Sequence, residues 1–404
     1  MLTLLPMLLA CPVAKHFPSD SAPPGHALIL VSMDGMRWDY PARAALPTLA
    51  RFAEEGTHAE GLIPAFPSKT FPNHYTQVTG LYPEHHGIVE NTMRDPRTGA
   101  VYTIDDPEAV GDASWYAGEP IWVSAERQGL RAATCLWVGS EAPIGGARPS
   151  DWVSYSEFLD WDERVDLVLD WLDRPPDTRP SLITLYFSEP DGAGHHYGPD
   201  SAQTLQEASE VDAMLARLVE GLELRGALET TDIVVMSDHG MSAVAPERIV
   251  FIDDLVDSYR LDIVTWSPML SFYAEDDEAE ALLAGLDADP HLQCARKEEL
   301  PERLHYADNE RIPPYVCIVD DGYSVGTHSW LAASPDYFEG GSHGYDNAAE
   351  SMRGVFYARG PSFAAGRTVD AFESVDLYNV FAAVLGIEPA PNDGDPARVG
   401  ALLR

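Results

Sequence analysis

The sequence predicts an α/β fold built on a mostly parallel central sheet flanked by helices. Three observations predict it. Ala27-Leu-Ile-Leu-Val-Ser-Met33, Ser181-Leu-Ile-Thr-Leu-Tyr-Phe187 and Asp232-Ile-Val-Val-Met-Ser237 are near-continuous apolar runs, as strands covered on both faces require. Stretches with helical spacing separate them. Each run closes on an Asp with a Gly close behind: Asp34-Gly35, Asp191-Gly192 and Asp238-His239-Gly240.

The elements follow in order. Met1 to Ala10 is apolar and too short to span a bilayer, which takes ~20 residues. Its end, Leu9-Ala10-Cys11, is similar to a bacterial lipoprotein signal, although no basic residues precede it. The expectation is an exported protein in the periplasm, on the outer membrane with a lipid anchor at Cys11, or outside the cell. Residues 1–25 then form a leader and a Pro- and Ser-rich tether. The catalytic unit is expected over 26–390. Leu46–Glu55 is read as a short amphipathic helix, Trp161–Leu172 as another, and Ser201–Leu224 as a long one closed near Gly226. Residues 242–342 have weaker periodicity, more Pro and more charge, and are read as an inserted cap. Val369–Leu385 is read as a closing helix, and 391–404 as a C-terminal tail. Of four cysteines, Cys294 and Cys317 are the pair closest in sequence, with free thiols at Cys135, Cys294 and Cys317 as the alternative.

Charge narrows the function. Lys and Arg number 26 against 65 Asp and Glu, a net charge of −39. That excludes a broad nucleic-acid-binding face, which needs basic patches. An acidic protein acting on an anionic substrate needs local positive charge, and bound metal ions supply it.

The carboxyl ends of parallel strands share one edge, where ligands bind. Asp34, Asp191 and Asp238 therefore converge, and repelling carboxylates need cations to coexist. One Asp-Gly pair alone is an ordinary turn; three with nearby histidines are not. Asp191-x-x-x-His195, the adjacent Asp238-His239, and His343 within Gly340-Gly-Ser-His-Gly supply the mixed donors that suit zinc. His85, His86, His196 and His328 lack such a partner and are read as supporting or surface residues. In Pro67-Ser-Lys-Thr70-Phe-Pro72, the Pro marks the first turn of a helix. Thr70 then sits at a helix N-terminus, either as a nucleophile near an anion site or as a plain cap, with Ser68 as a rival hydroxyl.

Several segments occur together and in order: Asp34; Thr70-Phe-Pro-Asn-His-Tyr75; Val78-Thr-Gly-Leu-Tyr-Pro-Glu-His-His-Gly-Ile-Val-Glu-Asn91; Glu189-Pro-Asp191-x-x-x-His195; Ser237-Asp-His-Gly-Met241; and Gly341-Ser-His-Gly-Tyr-Asp346. Over Ala27 to Leu385 the chain resembles the nucleotide pyrophosphatase/phosphodiesterase family of the alkaline phosphatase superfamily. The resemblance implies an alkaline-phosphatase-like core and a Thr70 nucleophile that forms a phospho-threonine ester. It implies two Zn²⁺ ions, one held by Asp34, Asp238, His239 and Thr70, the other by Asp191, His195 and His343. Asn91 would donate to a non-bridging phosphoryl oxygen. Phe71 and Tyr186 would form an aromatic slot for a nucleobase, with Trp137 lining the pocket; core packing is the other reading of Tyr186. Val138 stands where the family commonly has Pro, so the pocket floor differs. His74 is read as structural.

The substrate class implied is a small phosphodiester, foremost a nucleotide. Choline-headgroup diesters and phosphonates remain open, and a non-catalytic binding protein is the alternative of another class. A sulfatase would need Cys or Ser before Pro-x-Arg at the nucleophile, and a phosphomonoesterase would use Ser with a nearby Arg; Thr70 and Asn91 argue against both.

Overall fold

The computed structural model describes residues 25–154 and 159–404. The proposed leader, with Cys11, lies outside them. An eight-stranded sheet runs in the order Arg367–Val369, Thr57–Ala59, Phe356–Arg359, Thr231–Met236, Ala27–Met33, Leu182–Phe187, Ala132–Cys135, Asp151–Val153. The last five are mutually parallel, and Phe356–Arg359 alone runs antiparallel to both its neighbours.

Both faces are covered, which is why the three apolar runs do not alternate. Leu28, Leu30, Leu182, Val234 and Met236 face one core with Tyr75, Val78 and Phe381. Ile29, Val31, Ile183, Leu185, Ile233 and Val235 face the other with Val165, Val168, Leu215 and Leu218. Helices Pro47–Glu55, Trp161–Leu172 and Ala202–Leu224 supply the second core. Asp160 and Glu163 close a capping box on Trp161–Leu172, and Ser201 caps Ala202–Leu224 through the Thr204 N–H. Pro47–Glu55 is capped from a distance: buried Asp212 accepts from the Thr48 and Leu49 N–H groups.

Two expectations are corrected. Val369–Leu385 is not one helix. Arg367–Val369 and Phe372–Glu373 are short strands, Ser374–Asp376 is a 3-10 turn, and the helix covers only Leu377–Leu385, ending at Gly386 with φ +66°. Phe372 and Val375, three apart, mimic helical spacing while Phe372–Glu373 pairs with Leu62–Ile63. Nor does 391–404 trail away: helix Ala397–Leu402 folds back and buries Leu402 in the first core.

Ser242–Val244 and Gly340–Ser342 pair antiparallel. Between them the chain builds a separate four-stranded antiparallel sheet, ordered Asp262–Thr265, Met269–Tyr273, Tyr315–Val319, Leu292–Arg296. Leu270, Phe272, Leu282, Leu286 and Val319 give it its own apolar cluster. Cys294 and Cys317 face each other across two of these strands and form a disulfide. Cys135 is a buried free thiol. Among the described residues, no helix is long and apolar enough to cross a membrane.

Candidate active site

The expected sheet edge gathers the expected residues. Asp34 follows strand Ala27–Met33, Asp191 opens helix Asp191–Tyr197 after Leu182–Phe187, and Asp238-His239 follow Thr231–Met236. His195 lies one turn beyond Asp191, and His343 follows Gly340–Ser342. Gly35 lets two strand ends meet. Its φ is +65°, a Cβ there would lie 2.8 Å from Asp191 Cα, and the Asp191 N–H donates to the Asp34 carbonyl at 3.1 Å.

Two clusters result. Asp34, Asp238 and His239 bring one ligand atom each to within 4.8 Å of one another, and so do Asp191, His195 and His343. His239 Nε2 is 3.4 Å from Asp34 Oδ1 and 3.1 Å from Asp238 Oδ2. His195 and His343 place Nε2 3.6 Å from Asp191 Oδ1. The His239 and His343 rings stack at 3.5 Å, so the clusters adjoin.

The donor set fits a cation. Asp34 Oδ1, Asp191 Oδ1 and Asp238 Oδ2 are buried without a hydrogen-bond partner among the described residues. Nδ1 of His195, His239 and His343 lies 2.8 Å from a carbonyl, of Gly341, Gly240 and Ser68 respectively. A carbonyl only accepts, so each Nδ1 carries the proton and each Nε2 offers a lone pair to the cluster. The protein alone leaves the carboxylates in conflict. Burial first, then Asp238 and Asp191, push the Asp34 carboxyl well above its usual range. Burial also pushes Asp238 up, but His239 and His74 outweigh it and hold that carboxyl low. Burial first, then the proximity of His239, Lys69 and His195, disfavour protonation of the His343 imidazole and push its pKa well below the ordinary range.

Thr70 is the first residue of helix Thr70–Thr79, and its Oγ1 lies 3.2 Å from His239 Nε2. Ser68 does not compete: its hydroxyl is buried and donates to the Tyr345 carbonyl. Asn91 joins Thr70 at the helix N-terminus. Its Oδ1 accepts from the Phe71 N–H at 3.0 Å, which turns the amide NH₂ the other way.

A cavity of about 730 Å³ opens beside Asp34, Thr70 and Asp191. Phe71, Ile104, Leu136, Val138 and Tyr186 give it apolar walls, and Asp105, Asp160, Asp162 and Glu189 line it with carboxylates. Phe71 is where the sequence places it. Tyr186 has a second role that the sequence reading missed: its hydroxyl donates to Asp34 Oδ2 at 2.6 Å. Trp137 does not line the cavity. It is 1% exposed and packs edge-on against His74, and its neighbours Leu136 and Val138 reach the space instead. His86 is fully buried, whereas His85, His196 and His328 are exposed.

A model of the type I phosphodiesterase / nucleotide pyrophosphatase family matches residues 28–346. The chain is 36% identical over 391 residues to bovine ectonucleotide pyrophosphatase/phosphodiesterase family member 3, covering 93% of this chain and 44% of that protein. It is 39% identical to an uncharacterized pyrophosphatase/phosphodiesterase of Schizosaccharomyces pombe, covering 91% and 78%. It therefore spans less than half the length of the bovine relative. Among solved structures, an inactive threonine-to-alanine variant of murine ectonucleotide pyrophosphatase / phosphodiesterase 5, in complex with AMP, superposes with a TM-score of 0.88 at 32% identity, covering 94% of this chain and 100% of that one. The family motifs, the strand-end carboxylates and these likenesses agree: the chain belongs to the type I phosphodiesterase / nucleotide pyrophosphatase family.

Proposed function

We propose that the protein is a metal-dependent phosphodiesterase and pyrophosphatase that hydrolyses nucleotide phosphodiester or phosphoanhydride bonds through a phospho-threonine at Thr70. The observation that carries this reading is the position of Thr70 Oγ1, 3.2 Å from His239 Nε2 and at the rim where three carboxylate oxygens without a hydrogen-bond partner among the described residues converge. Two Zn²⁺ ions, one held by Asp34, Asp238, His239 and Thr70 and one by Asp191, His195 and His343, would supply Lewis acidity toward the phosphoryl oxygens and favour the ionised Thr70 hydroxyl.

The residues do the rest. Thr70 Oγ1 forms the new bond to phosphorus as the ester or anhydride bond opposite breaks and the leaving oxygen departs. The Asn91 NH₂, held outward by the Phe71 N–H, donates to a non-bridging oxygen, and the helix N-terminus adds a fixed positive end. Water then cleaves the phospho-threonine and restores the hydroxyl. Phe71 and the walls Leu136 and Val138 suit a nucleobase face. The inactive threonine variant seen with AMP supports both threonine and nucleotide. An exported location fits relatives named as ectoenzymes.

One observation favours a second reading. Asp105, Asp160, Asp162 and Glu189 line the cavity and suit a cationic headgroup such as choline. Hydrolysis of the para-nitrophenyl ester of thymidine monophosphate, of bis-para-nitrophenyl phosphate and of para-nitrophenylphosphorylcholine, with and without chelator, separates the two. The nucleotide ester is expected to turn over fastest, with activity lost to chelator and restored by zinc. Preference for the choline ester keeps the metal site and overturns the nucleotide assignment.

A further inference from the structure

A buried imidazole behind the nucleophile has no place in the chemistry above. His74 stands one helical turn after Thr70, fully buried and outside the cavity. Its Nδ1 lies 2.9 Å from the Thr70 carbonyl and 3.3 Å from Asp238 Oδ2; its Nε2 lies 2.7 Å from the Ser32 hydroxyl. We propose that His74 is a positioning residue: the chain Ser32–His74–Thr70 ties the nucleophile's backbone to the strand that ends in Asp34, and holds it beside Asp238. The inference rests on Thr70 being the nucleophile.

The protons along this chain are determined by its ends. The carbonyl and the carboxylate near Nδ1 only accept, so Nδ1 carries the hydrogen. Nε2 then holds a lone pair, and the Ser32 O–H donates to it. Ser32 is a hydroxyl inside an otherwise apolar strand, fully buried, two residues before Asp34. A hydroxyl buried there without a partner would be destabilising, because it gives up its bonds to water for nothing. The ring is boxed in. Trp137 and Tyr186 present edges to it, each at 5.3 Å between centroids, and the Trp137 indole N–H donates to the His74 carbonyl at 3.3 Å. Tyr186 holds Asp34 as well. One box thus sets both the nucleophile and a carboxylate of the first cluster. A small displacement of an attacking oxygen lowers the rate steeply while leaving substrate binding alone.

The test uses the zinc-loaded full chain and the thymidine monophosphate ester. His74→Gln, which loses the Nδ1 donor, is expected to lower kcat about 10- to 100-fold with KM and bound zinc unchanged. His74→Asn, whose amide N–H can reach the Thr70 carbonyl but whose shorter side chain cannot reach Ser32, lowers kcat as far as Ser32→Ala does. Ser32→Ala lowers kcat in the same way, and the Ser32→Ala/His74→Gln pair falls no further than His74→Gln alone, because one broken link already opens the chain. Additive losses, or a KM rise at unchanged kcat, overturn the proposal. Should the His74 variants not fold, ring ¹H–¹⁵N correlation spectra decide. His74 is expected as the Nδ1–H tautomer in the unaltered protein and in Ser32→Ala, where loss of the hydrogen bond that Nε2 accepts shifts the Nε2 resonance; an unmoved Nε2 resonance overturns the proposal. Thr70→Ala serves as the control. Retained turnover there defeats the nucleophile reading, while the ring spectra still report on the Ser32–His74 link.

Discussion

At the candidate metal clusters, four of the ligand side chains are aimed by a partner behind them. Carbonyls fix the three histidines, and for Asp34 the partner is Tyr186, whose hydroxyl leaves Oδ1 facing inward. Removing that hydroxyl removes an aiming contact without opening a cavity. Tyr186→Phe is therefore expected to weaken zinc binding by about 10- to 100-fold, read by competition with a chromogenic chelator, with little change in folding stability. Unchanged zinc affinity would show the contact to be incidental. The ligand types themselves were legible in the sequence, since strand-end carboxylates with spaced histidines have few other uses. The partners were not: nothing in the local pattern says that Tyr186 reaches Asp34, 152 residues away. Ser32 did carry a signal, being the one polar residue within a run of apolar ones. Trp137 was misplaced because an aromatic residue near a pocket in sequence can equally turn its ring into the core.

At the scale of elements, helix Thr70–Thr79 is held from both ends. The Asn73 side chain bonds the loop before it, through the Ala65 N–H and the carbonyls of Ala65, Pro67 and Lys69. Short helix Pro83–His86 braces it from beyond, where His86 Nε2 lies 3.2 Å from the Pro72 carbonyl and 3.0 Å from the Thr76 hydroxyl. Burial holds the His86 imidazole neutral, pushing its pKa down to about 3 from an ordinary 6.5. The sign follows. Between 6.5 and 3 the unfolded chain binds a proton that the folded one refuses, so stability is full above 6.5 and falls as the pH drops below it. The slope is about 1.4 kcal/mol per pH unit, or about 2 kcal/mol by pH 5. Urea unfolding at pH 7.5 and pH 5 should show that loss in the native protein, and His86→Gln should flatten it; an equal acid loss in both proteins would contradict this assignment. The strands and long helices were legible because periodicity and caps agree there. The stretch before Leu377 was not, because two-residue pairing such as Phe372–Glu373 is decided by a distant partner strand.

Across the whole molecule, the central sheet brings together residues from five separate stretches: Asp34, Thr70 with Asn91, Asp191 with His195, Asp238-His239, and His343. His343 arrives only because the Ser242–Val244/Gly340–Ser342 pair returns the chain from the separate antiparallel sheet. With a net charge of −39, this concentration of carboxylates is one that bound cations would neutralise. The parallel order of the strands made that convergence foreseeable, whereas the acidic lining depends on the path of the turn at Asp105 and on where the N-terminus of helix Trp161–Leu172, with Asp160 and Asp162, docks, and no periodicity encodes either. The most direct test of the account compares wild type and Thr70→Ala, matched for bound zinc, in hydrolysis of the thymidine monophosphate ester. The account predicts that Thr70→Ala retains near-normal metal and loses at least about 10³-fold in turnover, as removal of an activated nucleophile does. Turnover near the wild-type rate at equal metal content would contradict it.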